Sequence, residues 1–223
     1  MTAADKTAIR DAATILLVRG QGGDARVLMG QRGKSAAFMP EKFVFPGGAL
    51  DPEDAFIPLA RPLPASCAAR LGRDHAAPHA LAAAAIRELW EETGLAIGLP
   101  SAWADAPADW QGFAARGLVP DAGVLRYVFR AITPPGRPRR FDARFFLADA
   151  AAVVGDLDDF SQACEELSHL QWVPLREARR LNLPFITEVV LAEAQAHIEG
   201  EDMADSVPFF DNSTDHSTFR RIV

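Results

Sequence analysis

Arg87-Glu88-Leu89-Trp90-Glu91-Glu92-Thr93-Gly94-Leu95 closes the clearest helix in the chain. Working outward, the helical pattern runs from about Pro78 to Thr93. Pro78 suits a first helical turn, and Gly94 suits the left-handed position just past a last one. At 100° per residue, Ala82, Ile86, Leu89, Trp90 and Thr93 fall on one side, with Glu88, Glu91 and Glu92 opposite, at i, i+3 and i+4. One stripe is therefore expected to face a core while three carboxylates share the other face. Like charges at this spacing repel by roughly a few tenths of a kcal/mol per pair in water. The helix C-terminus, where they sit, disfavours negative charge further. A hard divalent cation reverses that balance, because Mg²⁺ takes oxygen ligands and keeps several waters. Arg87, four residues before Glu91, is placed to pair with that carboxylate. A solvated helix face accommodates the same triplet, so the surrounding sequence has to decide.

Upstream, residues 12–19 read as a buried strand, Gly20, Gly22 and Gly23 as a turn, and Val27-Leu28-Met29 as the returning strand of a hairpin. Phe43-Val44-Phe45 reads as a short strand stopped by Pro46-Gly47-Gly48. Residues 55–77 read as an irregular insert with a short helix near Ala65–Leu71. Downstream, strands are expected at 124–132, 144–148 and 170–173, and helices at 175–181 and about 185–198. The stretch from about residue 200 is polar and acidic and reads as a peripheral tail. Strands mixed with separated helices indicate an α/β or α+β protein with a mixed sheet. The chain has 223 residues, 49% of them hydrophobic and 24% charged, which excludes a mainly disordered protein. No repeat or low-complexity linker divides it, so a single domain over 1–223 is expected. The net charge of −7 argues against a general nucleic-acid-coating role. Two cysteines cannot build a disulfide framework, and no apolar run approaches the ~20 residues that span a bilayer. A cytoplasmic protein without membrane or nucleic-acid partners is the expectation.

Residues 87–95 fit R-E-U-x-E-E-x-G-U, with U apolar, and so resemble the second half of the motif of the Nudix hydrolase family. The first half, G-x5-E, is matched by Gly48 to Asp54, led in by Pro46-Gly47 and with aspartate where the family has glutamate. Residues 55–86 intervene, 32 residues where the family pattern has seven. An insert at this point resembles the subgroup that includes a peroxisomal coenzyme A diphosphatase of animals. Val27-Leu28-Met29-x-Gln31-Arg32, Phe38-Met39-Pro40, the segment Thr133–Phe146 and Glu166-Leu167-x-x-Leu170-x-Trp172-Val173-Pro174-Leu175 agree with it. The likeness spans roughly residues 12–195.

The resemblance implies an α/β/α sandwich on a central mixed sheet. It implies cleavage of a small-molecule nucleoside diphosphate linked to another moiety, coenzyme A or an acyl-coenzyme A first, with ADP-ribose, NADH or dinucleoside polyphosphates as the alternative. A non-catalytic nucleotide-binding module is a second alternative, although such a module would be expected to lose the acidic ligands. Water must reach a phosphorus ringed by negative oxygens, and metal ions neutralise that charge and acidify the water. By resemblance, Glu88, Glu91 and Glu92 hold Mg²⁺ or Mn²⁺ and take part in catalysis, and Gly47 and Gly48 form the loop that positions the acidic helix. Glu165 and Glu166 stand before a late strand, where the family often supplies a further carboxylate; Glu166 is preferred, with Glu165 close behind, and either fits a catalytic general base or an extra metal ligand. A homodimer is one assembly that the family makes common.

Arginine suits bidentate phosphate contacts. Arg140 and Arg144, within a local arginine group, are expected to grip substrate phosphates, such as the 3′-phosphate of coenzyme A, and Arg32 to reach substrate from its strand. Phe38, Phe43 and Phe141 fit either base stacking or the core, and the core is the simpler reading. His75 and His79 lie at i, i+4 without the flanking residues of a zinc site.

Overall fold

The computed structural model describes residues 8–73, 76–199 and 206–223. Strands are β1 (Ile9–Arg19), β2 (Arg26–Arg32), β3 (Phe43–Val44), β4 (Gly47–Ala49), β5 (Gly98–Pro100), β6 (Leu118–Pro120), β7 (Arg126–Ile132), β8 (Arg140–Asp149), β9 (Leu167–Pro174), β10 (Val207–Asp211) and β11 (Thr218–Ile222). Helices are α1 (Ala65–Gly72), α2 (Pro78–Thr93), α3 (Gln111–Ala115), α4 (Leu175–Ala178) and α5 (Phe185–Ile198).

One sheet runs β11-β10-β7-β8-β1-β2-β3, with β4 also paired to β1 and β9 to β2. It is mixed: β1 is parallel to β8 and antiparallel to β2 and β4. Strand β1 lies centrally and is apolar on both faces, as a doubly covered strand must be. Ala13, Ile15 and Leu17 face one cluster with α1 and α2, and Leu16 and Val18 face another with α4 and α5. The result is the α/β/α sandwich expected.

Helix α2 begins at Pro78 and ends with Gly94 in the left-handed conformation, φ 75°. It is less amphipathic than its periodicity implies. Every residue from Ala80 to Trp90 is buried, and so are Glu92 and Thr93. A run of alanines lets the helix sit close between the sheet on one side and the insert on the other.

The insert is part of the core. Ile57, Leu63, Cys67 and Leu71 are buried with α2. Its backbone is tied to the end of β6 and the turn that follows by hydrogen bonds from Ala60 to Pro120 and from Ala122 to Arg61, and His79 Nε2 meets the Ile57 carbonyl at 2.7 Å. His75 lies outside the described residues.

Two expectations are corrected. The tail is not peripheral from residue 206 on: β10 adds in parallel to β7 and β11 closes a hairpin on it. Val207, Phe209 and Ile222 are core residues. The composition of residues 200–206 hid this, because the alternation in Val207-Pro208-Phe209-Phe210 is short and follows an acidic run. Likewise Gly47 and Gly48 are not a loop; they form β4, in register with Thr14 and Ala13.

Candidate active site

The site begins where α2 crosses β4. At Gly48, an added Cβ would run into the carboxylate of Glu88. At Gly47 it would lie 2.6 Å from the Ala13 carbonyl oxygen and 2.7 Å from Thr14 Cα. The requirement for glycine is therefore close approach rather than a turn. The Gly47 N–H donates to Glu92 Oε2 at 2.8 Å, which anchors one edge of that carboxylate. Its other oxygen, Oε1, is buried with no hydrogen-bond partner.

Arg87 holds the rest together. Its Nε and Nη2 reach the two oxygens of Asp54 at 2.9 and 3.0 Å. Nη1 reaches Glu88 Oε1 at 2.9 Å and Glu91 Oε2 at 3.3 Å, and Nη2 also donates to the Ala49 carbonyl. Asp54 and Arg87 are both buried. The pairing of Arg87 with Glu91 was expected; the stronger, two-pronged pairing with Asp54 was not. Its signal was present in the G-x5-E match that ends on Asp54. Asp54 also accepts from the Asp51 N–H in a capping box that fixes the turn after β4.

Burying a carboxylate costs several kcal/mol before any pairing, far more than the like-charge repulsion along the helix. The protonation equilibria follow. Burial pushes the Glu88 carboxyl up to about 7 against the pull of Arg87, with Glu91 and Glu166 adding to the rise. Glu92 is raised well above the usual carboxylate range by burial, then by the charge of Glu88 and, more weakly, of Glu166. Glu91, half-exposed, is raised by burial and by Asp109 and Asp51, with Arg87 opposing.

Glu166 bonds to Arg32 at 2.8 Å, and its charge acts on both Glu88 and Glu92. The loop before it is tied to the helix end by the Cys164 N–H, which donates to the Glu91 carbonyl at 2.8 Å. Glu165 next to it is exposed. Glu88 thus feels the charges of Glu91 and Glu166, and Glu92 those of Glu88 and Glu166, while Arg87 bonds both Glu88 and Glu91. Among the described residues no three acidic, histidine or cysteine side chains converge as a ready-made metal cage. What fits a hard cation is the donor chemistry: carboxylate oxygens only, one of them buried and unpartnered on Glu92.

Arg140 and Arg144 correct the expectation of a phosphate grip. Arg144 is buried, bonded to Asp11 and to the Asp142 side chain. Arg140 donates to the carbonyls of Thr133, Asn212 and Ser213, fastening the start of β8 to the C-terminal hairpin. Both guanidinium groups are engaged within the protein. Phe38 and Phe141 pack edge to face at 5.2 Å.

An α/β/α sandwich with an acidic helix laid over a diglycine strand defines the class, and the comparisons agree. A crystal structure of a NUDIX hydrolase from Alicyclobacillus acidocaldarius is 31% identical, with a TM-score of 0.66 over 89% of this chain and 96% of that one. The Caenorhabditis elegans protein named "Putative nudix hydrolase 7" is 30% identical over 181 residues, 75% of this chain and 52% of that protein. The chain therefore spans about half the length of that curated relative. A crystal structure of a C. elegans Ap4A hydrolase binary complex shares the fold, with a TM-score of 0.51 at 16% identity over 86% of this chain and 99% of that one. No family model matches. The chain belongs to the Nudix hydrolase family. Among the described residues no helix is long and apolar enough to cross a membrane.

Proposed function

We propose that the chain hydrolyses a nucleoside diphosphate linked to a second moiety, with coenzyme A or an acyl-coenzyme A as the first substrate to test. The observation that carries the hydrolase reading is Glu92, buried at 2% exposure with one carboxylate oxygen bound by Gly47 and the other unpartnered beside Glu88. A buried acid in that state costs stability unless something positive joins it. Glu88 and Glu92 would hold Mg²⁺ or Mn²⁺, with waters completing the shell and Glu91 and Glu165 as the outer candidates. When bound, the cation supplies charge neutralisation for the diphosphate and a more acidic water.

The chain's own residues do the remainder. Arg87 orients Glu88 and Glu91 from behind. Glu166 takes the proton of the attacking water as general base, and its bond to Arg32 sets its direction. Gly47 and Gly48 let the backbone of β4 lie against the carboxylates without a side chain between them. The subgroup likeness of the flanking segments and the position of the insert support coenzyme A. The test is a panel with Mg²⁺ present: coenzyme A, acetyl-coenzyme A, ADP-ribose, NADH and a dinucleoside polyphosphate, with products identified by mass. Release of 3′,5′-ADP and phosphopantetheine from coenzyme A is the expected result. AMP from another member with coenzyme A untouched would replace the substrate, and no turnover of any member would remove the hydrolase reading.

A further inference from the structure

Strands β2 and β9 do not pair evenly. Arg26 to Met29 oppose Pro174 to Gln171 in step, but Gln31 opposes Ser168 and Arg32 opposes Leu167. Between these two stretches, His169 and Leu170 face the single residue Gly30. This is a β-bulge, and His169 has φ 52°, the left-handed conformation that glycine ordinarily takes at such a place. Gly30 makes the room: a Cβ there would lie 2.8 Å from Leu167 Cβ and 3.0 Å from Leu170 Cδ2. Ser168 pins the bulge by donating from Oγ to the Gln31 carbonyl at 3.1 Å, and its Oγ also meets His169 Nδ1 at 3.1 Å.

The extra residue has a consequence at the site. With even pairing Ser168 would oppose Arg32, and Glu166 would stand one position further along, about 3.3 Å by the rise of a strand. A slip of one residue also exchanges the faces of everything beyond it. The bulge instead puts buried Leu167 opposite Arg32 and brings Glu166 to the Arg32 guanidinium at 2.8 Å.

We infer that the Gly30–His169 bulge is a positioning device for the reaction, setting the register that delivers Glu166 to Arg32 and to the carboxylates of α2. His169 is a positioning residue through its left-handed backbone; its exposed ring meets Ser168 Oγ and is given no contact with substrate. The inference rests on the reading of Glu166 as general base.

The test compares His169→Ile, which cannot hold the left-handed backbone, with His169→Gly and His169→Asn, which can. Misplacement by ~1 Å of a reacting group can cost ~100-fold. His169→Ile is expected to lose kcat by that order with KM little changed, while the glycine and asparagine variants keep kcat near the parent value. Gly30→Ala, which crowds the bulge from the other strand, is expected to show the same selective loss and serves if His169→Ile does not fold. Combined with Glu166→Gln, His169→Ile should add no further loss, which a general weakening of the fold would not produce. If Glu166→Gln keeps the parent kcat, the general-base reading fails and the inference with it. If Glu166→Gln is impaired but His169→Ile matches His169→Gly, or its loss persists in full beside Glu166→Gln, only the bulge inference is overturned.

Discussion

Asp54 and Arg87 form a two-pronged ion pair, at 2.9 and 3.0 Å, between the turn after β4 and the middle of α2. The same guanidinium bonds Glu88 and Glu91, so carboxylates from both halves of the motif are held through one cation. Aspartate at this position is short enough to meet Arg87 with both oxygens while its own turn is closed by the Asp51 N–H.

Removing Asp54 leaves Arg87 buried with its best partner gone. Breaking a buried pair from one side costs ~3–5 kcal/mol. Asp54→Ala is expected to lower stability by about that amount in urea unfolding, and to lower kcat as well, because Glu88 loses the frame behind it. Stability unchanged within ~0.5 kcal/mol would show that the pair is not the brace described.

Gly48 is the point of closest approach between β4 and Glu88. Gly48→Ala must move the Glu88 carboxylate, since the Cβ would occupy its place. The backbone there is extended strand, which alanine adopts freely, so stability should change little. A drop of roughly 100-fold in kcat with a normal unfolding midpoint is the expected pattern. Parent activity in this variant would place Glu88 outside the reaction.

The acids of α2 make stability depend on pH in a direction opposite to that of ordinary salt-bridged carboxylates. Glu88 ionises in the fold at about 7 rather than 4.5, and Glu92 too is raised well above the usual carboxylate range. Between these values the folded state binds more protons than the unfolded one. Its stability without metal is thus fullest below about 4.5 as far as these two groups decide, and falls as pH rises through about 7. A cation that prefers the ionised acids should restore what is lost. The rise in melting temperature on adding Mg²⁺ is expected to be larger at pH 8 than at pH 5.5. An equal rise at both would separate metal binding from Glu88 and Glu92.

The same reasoning makes Glu92 a residue kept for function at a cost to the fold. Glu92→Gln preserves an acceptor for the Gly47 N–H and removes a buried charge. It should melt higher than the parent protein at pH 8 without metal and be nearly inactive with it, an exchange of stability for function familiar at active sites. Full activity would exclude Glu92 from the site.

The acidic helix was legible because its signal is local. Pro78, Gly94 and the spacing of Glu88, Glu91 and Glu92 all lie within one stretch of chain, and the helix has the expected ends. What sequence missed depends on contacts between distant segments. The strand made by Gly47–Ala49 is visible only once β1 is beside it. The all-round burial of α2 follows from an insert folding back over alanines whose periodicity carries no direction. Arg140 and Arg144 have the composition of a phosphate grip, but beside the nearby Asp142 their partners are Asp11 and the carbonyls of Asn212 and Ser213, which lie far away in sequence and come together through the order of β1, β8 and the C-terminal hairpin. Pairing of arginines by remote acids leaves no mark in a local pattern.

The C-terminal hairpin gives the clearest measure of that long-range order. Phe209 is 1% exposed and lies between two guanidinium groups, Arg130 at 4.1 Å and Arg220 at 4.4 Å from its ring centre. Arg130 also shares Asp142 with Arg144. The ring therefore joins β10 to the buried charges of β7 and β8 while filling the core beneath. Truncation of a buried phenylalanine costs ~3–5 kcal/mol, and cation–π contacts in a desolvated place add about 1–2 kcal/mol. Phe209→Ala is expected to fall in the upper part of the first range. Phe209→Leu, which keeps most of the volume and loses the ring face, should cost about half as much. Urea unfolding of both variants at one pH checks this. If Phe209→Ala costs less than ~1 kcal/mol, the hairpin contributes no more than a surface segment would and the sheet effectively ends at β7.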